Sequence, residues 1–196
     1  ITDFTRGLKA CLKLGGTVTL EFPHLMRLLE HSQFDTVYHE HFSYLSLYTV
    51  SNIFKDAGLR IFDVEEITTH GGSIRVYGCH IDDQRVTTVD VDNLLSEESS
   101  RGLKLLETYT SFQPRADKIK NDLITFLLEK KVAGKTVVAY GAAAKGNTLL
   151  NYGGIKPDLL PVVYDAAKAK QDMFMPGSHI KILSPDKIKD SKPDYI

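Results

Sequence analysis

The sequence predicts an α/β protein: part of a doubly wound sheet, then a helical stretch, then a second βαβ unit. Three observations carry this. Thr17–Phe22 alternates with the two-residue period of a strand, and Leu59–Ile67 and Ser73–His80 also read as strands. From Asp90 to Lys131 apolar residues recur instead at helical spacing, with no strand signal. From Lys135 onward a strand, a tight turn of small residues, a helix and another strand follow in order.

The bulk properties set bounds. The chain has 196 residues, enough for one large domain or two small ones. Hydrophobic residues make up 42% and charged residues 25%, ordinary for a soluble globular protein. The formal net charge of -1 gives no overall pull toward nucleic acid or an anionic membrane, so neither is an expected partner. No apolar run approaches the ~20 residues that span a bilayer, and no signal peptide pattern is present. Cys11 and Cys79 form neither a CxxC nor a metal spacing, so a reducing cytoplasm is the expected location. The chain starts at Ile1 directly in a helical pattern and stops at Lys192-Pro-Asp-Tyr-Ile196, which reads as the start of a strand. Both ends look cut, as in a fragment of a longer protein.

The elements follow in order. Phe4, Leu8, Cys11 and Leu12 share one helical face, and Gly15-Gly16 stops that helix. Thr17–Phe22 is rich in β-branched residues and Pro23 ends it. The long connection over 24–46 contains a short helix from His24 to Leu29, and its aromatic residues argue that it is ordered. Tyr48–Ala57 is a helix with Ser46 as N-cap and Gly58 as its stop. Leu59–Ile67 and Ser73–His80 are close enough to form a hairpin. Pro114 is expected to break or bend the helical stretch that follows. Lys135–Tyr140 and Leu159–Asp165 are strands, and Tyr195-Ile196 begins a third. The expected division is 1–82, a helical connection 83–134, and 135–196.

Two constellations could carry chemistry. Tyr38-His39-Glu40-His41-Phe42-Ser43-Tyr44 packs two phenols, two imidazoles, a carboxylate and a hydroxyl into one connection. Imidazole titrates near neutrality, at about 6.5 when unperturbed. His41 beside Glu40 suits a general base with a carboxylate partner, and Tyr38 suits a donor to a developing oxyanion. Adjacent ligand types in one extended segment rarely close a metal site, and no HExxH accompanies them, so no metal is expected here. The bland alternative is a satisfied core histidine with packing aromatics.

The second constellation is Gly141-Ala-Ala-Ala-Lys145-Gly146-Asn147-Thr148. A strand turning sharply into a helix gathers backbone N–H groups and the positive helix end, a ready anion site. Gly141 permits the turn, Gly146 allows close approach, Lys145 adds charge and Asn147 a donor. The spacing is neither GxGxxG nor a P-loop, so it implies neither NAD nor ATP. Asp165 ends the next strand, where an acid often meets a sugar hydroxyl, and is otherwise a turn aspartate. His179, in the Pro176-Gly-Ser-His loop, could line the same crevice or belong to a polar surface.

Together with the strands at 17–22 and Thr69-His-Gly-Gly-Ser-Ile-Arg-Val-Tyr77, these motifs resemble the sugar C-methyltransferase family. Its members methylate carbon on nucleotide-linked deoxy-keto-sugars with S-adenosylmethionine. The resemblance covers nearly the whole chain. It implies a Rossmann-like methyltransferase sheet, cut so that the zinc-binding cysteine segment and the adenosyl-gripping glycine loop would lie upstream, and a Rossmann-like C-terminal domain. It also implies His41 as general base, with Tyr38 and Glu40 supporting it. His39, Tyr44, Gly141, Lys145, Asn147, Asp165 and His179 become candidates for the nucleotide-sugar side. The chain departs from the family's Asp-Arg-Asn-Pro with Asp165-Ala166-Ala167-Lys168. Two other readings stand beside this one: a non-catalytic sugar-nucleotide-binding module, and a nicotinamide-dependent oxidoreductase, the latter disfavoured by the missing GxGxxG.

Overall fold

The computed structural model describes residues 1–196, which divide into two compact units, 1–33 with 43–112 and 34–42 with 113–196.

The first unit holds α1 (Thr2–Cys11), β1 (Val18–Pro23), α2 (Leu25–Glu30), α3 (Leu47–Asp56), β2 (Leu59–Ile67), β3 (Ser73–His80), α4 (Val89–Ser100) and α5 (Leu106–Thr110). Its sheet has the order β1-β3-β2, with β3 antiparallel to both neighbours. The strand on either side of β3 therefore runs the same way, as in a doubly wound sheet with one reversed strand. Helix α3 lies on this sheet. Leu47, Val50 and Phe54 are buried with Leu59, Ile61, Ile74 and Val76 in one apolar cluster. Gly78 on β3 makes room for that approach, since a Cβ there would run into the Phe54 ring. The expected N-cap of α3 is present: Ser46 Oγ accepts the Thr49 N–H at 3.1 Å. Pro23 is the last residue of β1 rather than the one after it, paired with Ser73.

The second unit holds α6 (Phe112–Val132), β4 (Ala139–Tyr140), α7 (Ala144–Tyr152), β5 (Val162–Tyr164), β6 (Lys181–Leu183) and α8 (Ile188–Ser191). Its strands are parallel in the order β4-β5-β6, and a parallel bridge between Val137 and Tyr195 adds a segment on the far side of β4. Across the sheet the order is thus third, second, first, fourth, so the strand order reverses beside β4. Leu127 of α6 and Leu150 of α7 pack with Val137, Ile155, Val163, Ile180 and Ile182.

Two expectations change. Lys181–Leu183 is the third strand of this unit, so Tyr195 comes fourth; three residues are too few to show a period. The helical stretch divides just ahead of Pro114, since α5 ends at Thr110 and α6 opens at Phe112. The proline sits in the first turn of α6, where its missing N–H has no intrahelical partner to lose. The helical stretch also divides earlier, where α4 ends and Gly102 takes φ 74°.

Candidate active site

The loop after α2 folds by local rules. Phe34–Thr36 forms one 3₁₀ turn. The chain then reverses over Tyr38–His41, with the His41 N–H donating to the Tyr38 carbonyl at 3.0 Å. A tight turn brings its first and fourth side chains together and turns its two central ones outward. Tyr38 and His41 accordingly meet: Tyr38 Oη and His41 Nε2 are 3.0 Å apart, and the rings stack edge to face at 4.8 Å and 76°. Both are half-buried. His39 and Glu40 occupy the corners and are exposed, with the His39 ring 6.3 Å from that of Tyr38. No hydrogen bond joins Glu40 to His41; the phenol of Tyr38 takes the place expected for the carboxylate. Tyr44 follows the turn, half-buried, in the first unit.

The turn belongs to the same unit as α7. The 3₁₀ turn packs on that helix, and the Phe34 and Tyr152 rings lie 5.1 Å apart. Tyr152 is itself fixed: its hydroxyl donates to Asp117 Oδ1 at 2.5 Å and accepts from Gln113 Nε2 at 2.7 Å. The Tyr38–His41 turn and the small-residue turn at 141–148 therefore sit in one unit, while Ser43 and Tyr44 belong to the other.

At the other end of α7 lies the small-residue turn. Gly141 has φ 97°, a backbone that L side chains rarely adopt, and its N–H donates to the Tyr164 carbonyl at 2.7 Å. The N-cap is Ala143, which offers no side-chain acceptor, so the N–H groups of the first turn of α7 keep their capacity for an anion. Lys145 is half-buried and forms no ion pair or hydrogen bond within the chain. Asn147 Oδ1 is buried without a hydrogen-bond partner.

Asp165 is already committed. Its Oδ2 accepts the Ala142 N–H at 2.6 Å and its Oδ1 the Ala167 N–H at 2.7 Å. Lys170 Nζ donates to the Ala142 carbonyl at 2.8 Å and lies 3.5 Å from Asp165 Oδ2. The Ala167 N–H above all, then that of Ala142 and the Lys170 charge, hold this carboxyl below the usual range against its burial. It braces two turns at the carboxyl edge of the sheet.

His179 is not brought to that edge. It is exposed at φ 58° just before β6, on the edge where the parallel strands begin. Its loop is held at the far end of α7, by Asn151 Nδ2 on the Pro176 carbonyl at 3.0 Å and Lys156 Nζ on that of Gly177 at 2.6 Å. His179 and Asp165 therefore lie at opposite ends of the parallel strands and do not line one crevice.

Sequence reasoning missed one pair in the first unit. His24 Nε2 lies 2.7 Å from Glu98 Oε1, both buried. They are 74 residues apart, and no local pattern marks the pairing.

No helix is long and apolar enough to cross a membrane. The family model described as the C-methyltransferase C-terminal domain matches residues 68–196. The chain is similar to "C-methyltransferase NovU" of Streptomyces niveus, 35% identical over 195 residues. That match covers 100% of this chain and 46% of the relative, so the chain spans about half the relative's length.

Proposed function

Since the chain belongs to the C-methyltransferase family, we propose that it is the catalytic-loop and substrate-side part of an enzyme that methylates carbon on a nucleotide-linked keto-deoxysugar. The observation that carries this reading is the Tyr38 Oη–His41 Nε2 contact at 3.0 Å, on the same unit as an uncapped helix end with an unpaired lysine.

The contact decides how protons can be arranged. If the phenol donates to Nε2, the ring proton is on Nδ1 and neither nitrogen can accept another. If Nε2–H donates to Tyr38 Oη, Nδ1 keeps its lone pair and the phenol keeps its O–H. Only the second arrangement makes His41 a base while leaving Tyr38 able to donate to an oxyanion. In it, Nδ1 removes the proton α to the keto group, the C–H pair moves into the new double bond, and the carbonyl oxygen gains the charge. The Tyr38 O–H then stabilises that oxygen. His41, now cationic, still donates through Nε2 to Tyr38, which keeps the ring in place.

Such a base suits methylation of carbon, because the α C–H proton must be removed before that carbon can act as a nucleophile. S-adenosylmethionine, when bound, supplies the electrophilic methyl that the enolate carbon takes. Residues 1–82 contain no glycine-rich strand-to-helix turn of the kind that grips an adenosyl group, so no grip is assigned to this chain. The first turn of α7, with Lys145 and Asn147, suits the diphosphate of the nucleotide.

The test is His41→Asn in the full-length enzyme. Turnover should fall by about 10²–10⁴ with cofactor binding intact. Turnover near that of the unaltered enzyme would sink the base assignment. A binding module without catalysis would instead bind the nucleotide sugar and transfer no methyl group.

A further inference from the structure

We propose that His24 and Glu98 are positioning residues for the segment that carries Tyr38 and His41, clamping both of its ends with one carboxylate. The proposal rests on the reading of that segment as catalytic.

The segment leaves the sheet at His24, directly after β1, and rejoins it at Leu45 to Leu47, where α3 starts. Its two ends touch: His24 and Leu45 form a parallel bridge, and the Leu25 N–H donates to the Leu45 carbonyl at 3.0 Å. The His24 N–H is tied to the Gly72 carbonyl at 3.0 Å, ahead of the central strand. Glu98, from α4, then reaches both ends at once. Its Oε1 meets the His24 ring and accepts the Leu47 N–H at 2.6 Å, and its Oε2 accepts the Tyr48 N–H at 2.9 Å.

Each bond has a reason. The opening N–H groups of α3 have no intrahelical partner, and Ser46 Oγ reaches only that of Thr49. Glu98 takes two of the rest, and a carboxylate suits the positive helix end. A carboxylate only accepts, so the contact with His24 requires the proton on Nε2. That leaves His24 Nδ1 buried with no partner.

A core chosen for stability alone would replace this pair with apolar side chains, since a buried polar pair rarely gains over good packing. Here its geometry does something that packing cannot. An apolar contact would hold the two ends together but would let them slide. Directed bonds to the Leu47 and Tyr48 N–H groups fix the first turn of α3, and hence where the chain enters it, relative to the His24 ring.

The experiment uses the full-length enzyme with His24→Leu, His24→Gln and Glu98→Gln, and His41→Asn as a control. Steady-state kinetics give kcat and KM separately, and hydrogen–deuterium exchange is followed over 25–45 and over 59–80. His24→Leu should lower kcat by about a hundredfold, the scale of a small misplacement, with KM unchanged. Exchange should quicken over 25–45 and stay slow over 59–80. His24→Gln, whose amide N–H can reach Glu98, should restore most of both. If His24→Leu does not fold, Glu98→Gln carries the same comparison, because it keeps shape and one acceptor oxygen. Unchanged kcat, parallel loosening of 59–80, or no rescue by glutamine would each overturn the clamp. A His41→Asn enzyme of normal turnover would sink the base reading instead, while the exchange result would still decide the clamp.

Discussion

Asp165 Oδ2 accepts the Ala142 N–H at 2.6 Å, joining the end of β5 to the turn that opens α7. Asp165→Ala should cost about 1–3 kcal/mol, because the Ala142 and Ala167 N–H groups lose their acceptor. The bond also sets a pH dependence. The Ala167 N–H first, then the Ala142 N–H and Lys170, lower this carboxyl's pKa in the folded chain. A depressed carboxyl adds stability above its unfolded value, about 3.9, and loses it as pH falls through the folded value. Circular dichroism should therefore show acid loosening of the unaltered chain below about pH 4, with a shallower slope in Asp165→Asn. Equal slopes would remove Asp165 from that account.

Tyr38→Phe separates the two duties given to that phenol. The ring and its edge-to-face contact with His41 at 4.8 Å survive the change, while the hydroxyl is lost. Turnover should fall by about 10²–10³ through the missing oxyanion donor. Cofactor affinity should be retained. Full activity in this variant would assign the oxyanion to another group.

The two glycines of the small-residue turn should behave oppositely. Gly141→Ala places a Cβ at φ 97° and should destabilise the fold by about 1–3 kcal/mol. At Gly146, inside α7, a Cβ would meet only the Gly141 carbonyl, at an ordinary 3.6 Å, so Gly146→Ala should gain about 0.5–1 kcal/mol in stability. If a diphosphate lies on this turn, Gly146→Ala and Lys145→Ala should weaken a nucleoside diphosphate by roughly tenfold or more, the scale of a charged hydrogen bond. The Lys145 effect should shrink as salt rises. Calorimetric titration showing unchanged affinity in both would move the anion site elsewhere.

The thiols should differ. Cys11 is exposed, while Cys79 on β3 is wholly buried and burial pushes its thiol up. Alkylation at neutral pH, read by mass spectrometry, should label Cys11 and spare Cys79 until the sheet unfolds. Early labelling of Cys79 would show that β3 opens locally.

The parts of this fold that were legible in the sequence are those whose signal is local. Leu59–Ile67 and Ser73–His80, either side of a Gly-Gly turn, read as the paired strands β2 and β3, and Ser46 ahead of a helical run marked the start of α3. β6 is three residues long and its pairing partner lies across a crossover, so no window could show it. At the candidate site, residue types drew attention to Tyr38–His41, but only the turn tells which of them meet. Neighbours in sequence, His41 and Glu40, share no hydrogen bond; Tyr38, three residues away, is the one in contact. The Glu98–His24 bond is decided by how α4 returns to the sheet, which composition does not encode.

The sheet order β1-β3-β2 also dictates a sequence of events in time. A chain emerging from the ribosome makes β1 first and β2 next, and within this sheet neither has a partner, since each pairs only with β3. The Tyr38–His41 turn is synthesised between them. Its stem cannot be tied down until the Gly72 carbonyl is available to His24 and α4 delivers Glu98. Such long-separated pairings slow folding. The segment carrying the candidate chemistry is therefore made before the residues that tie down its stem.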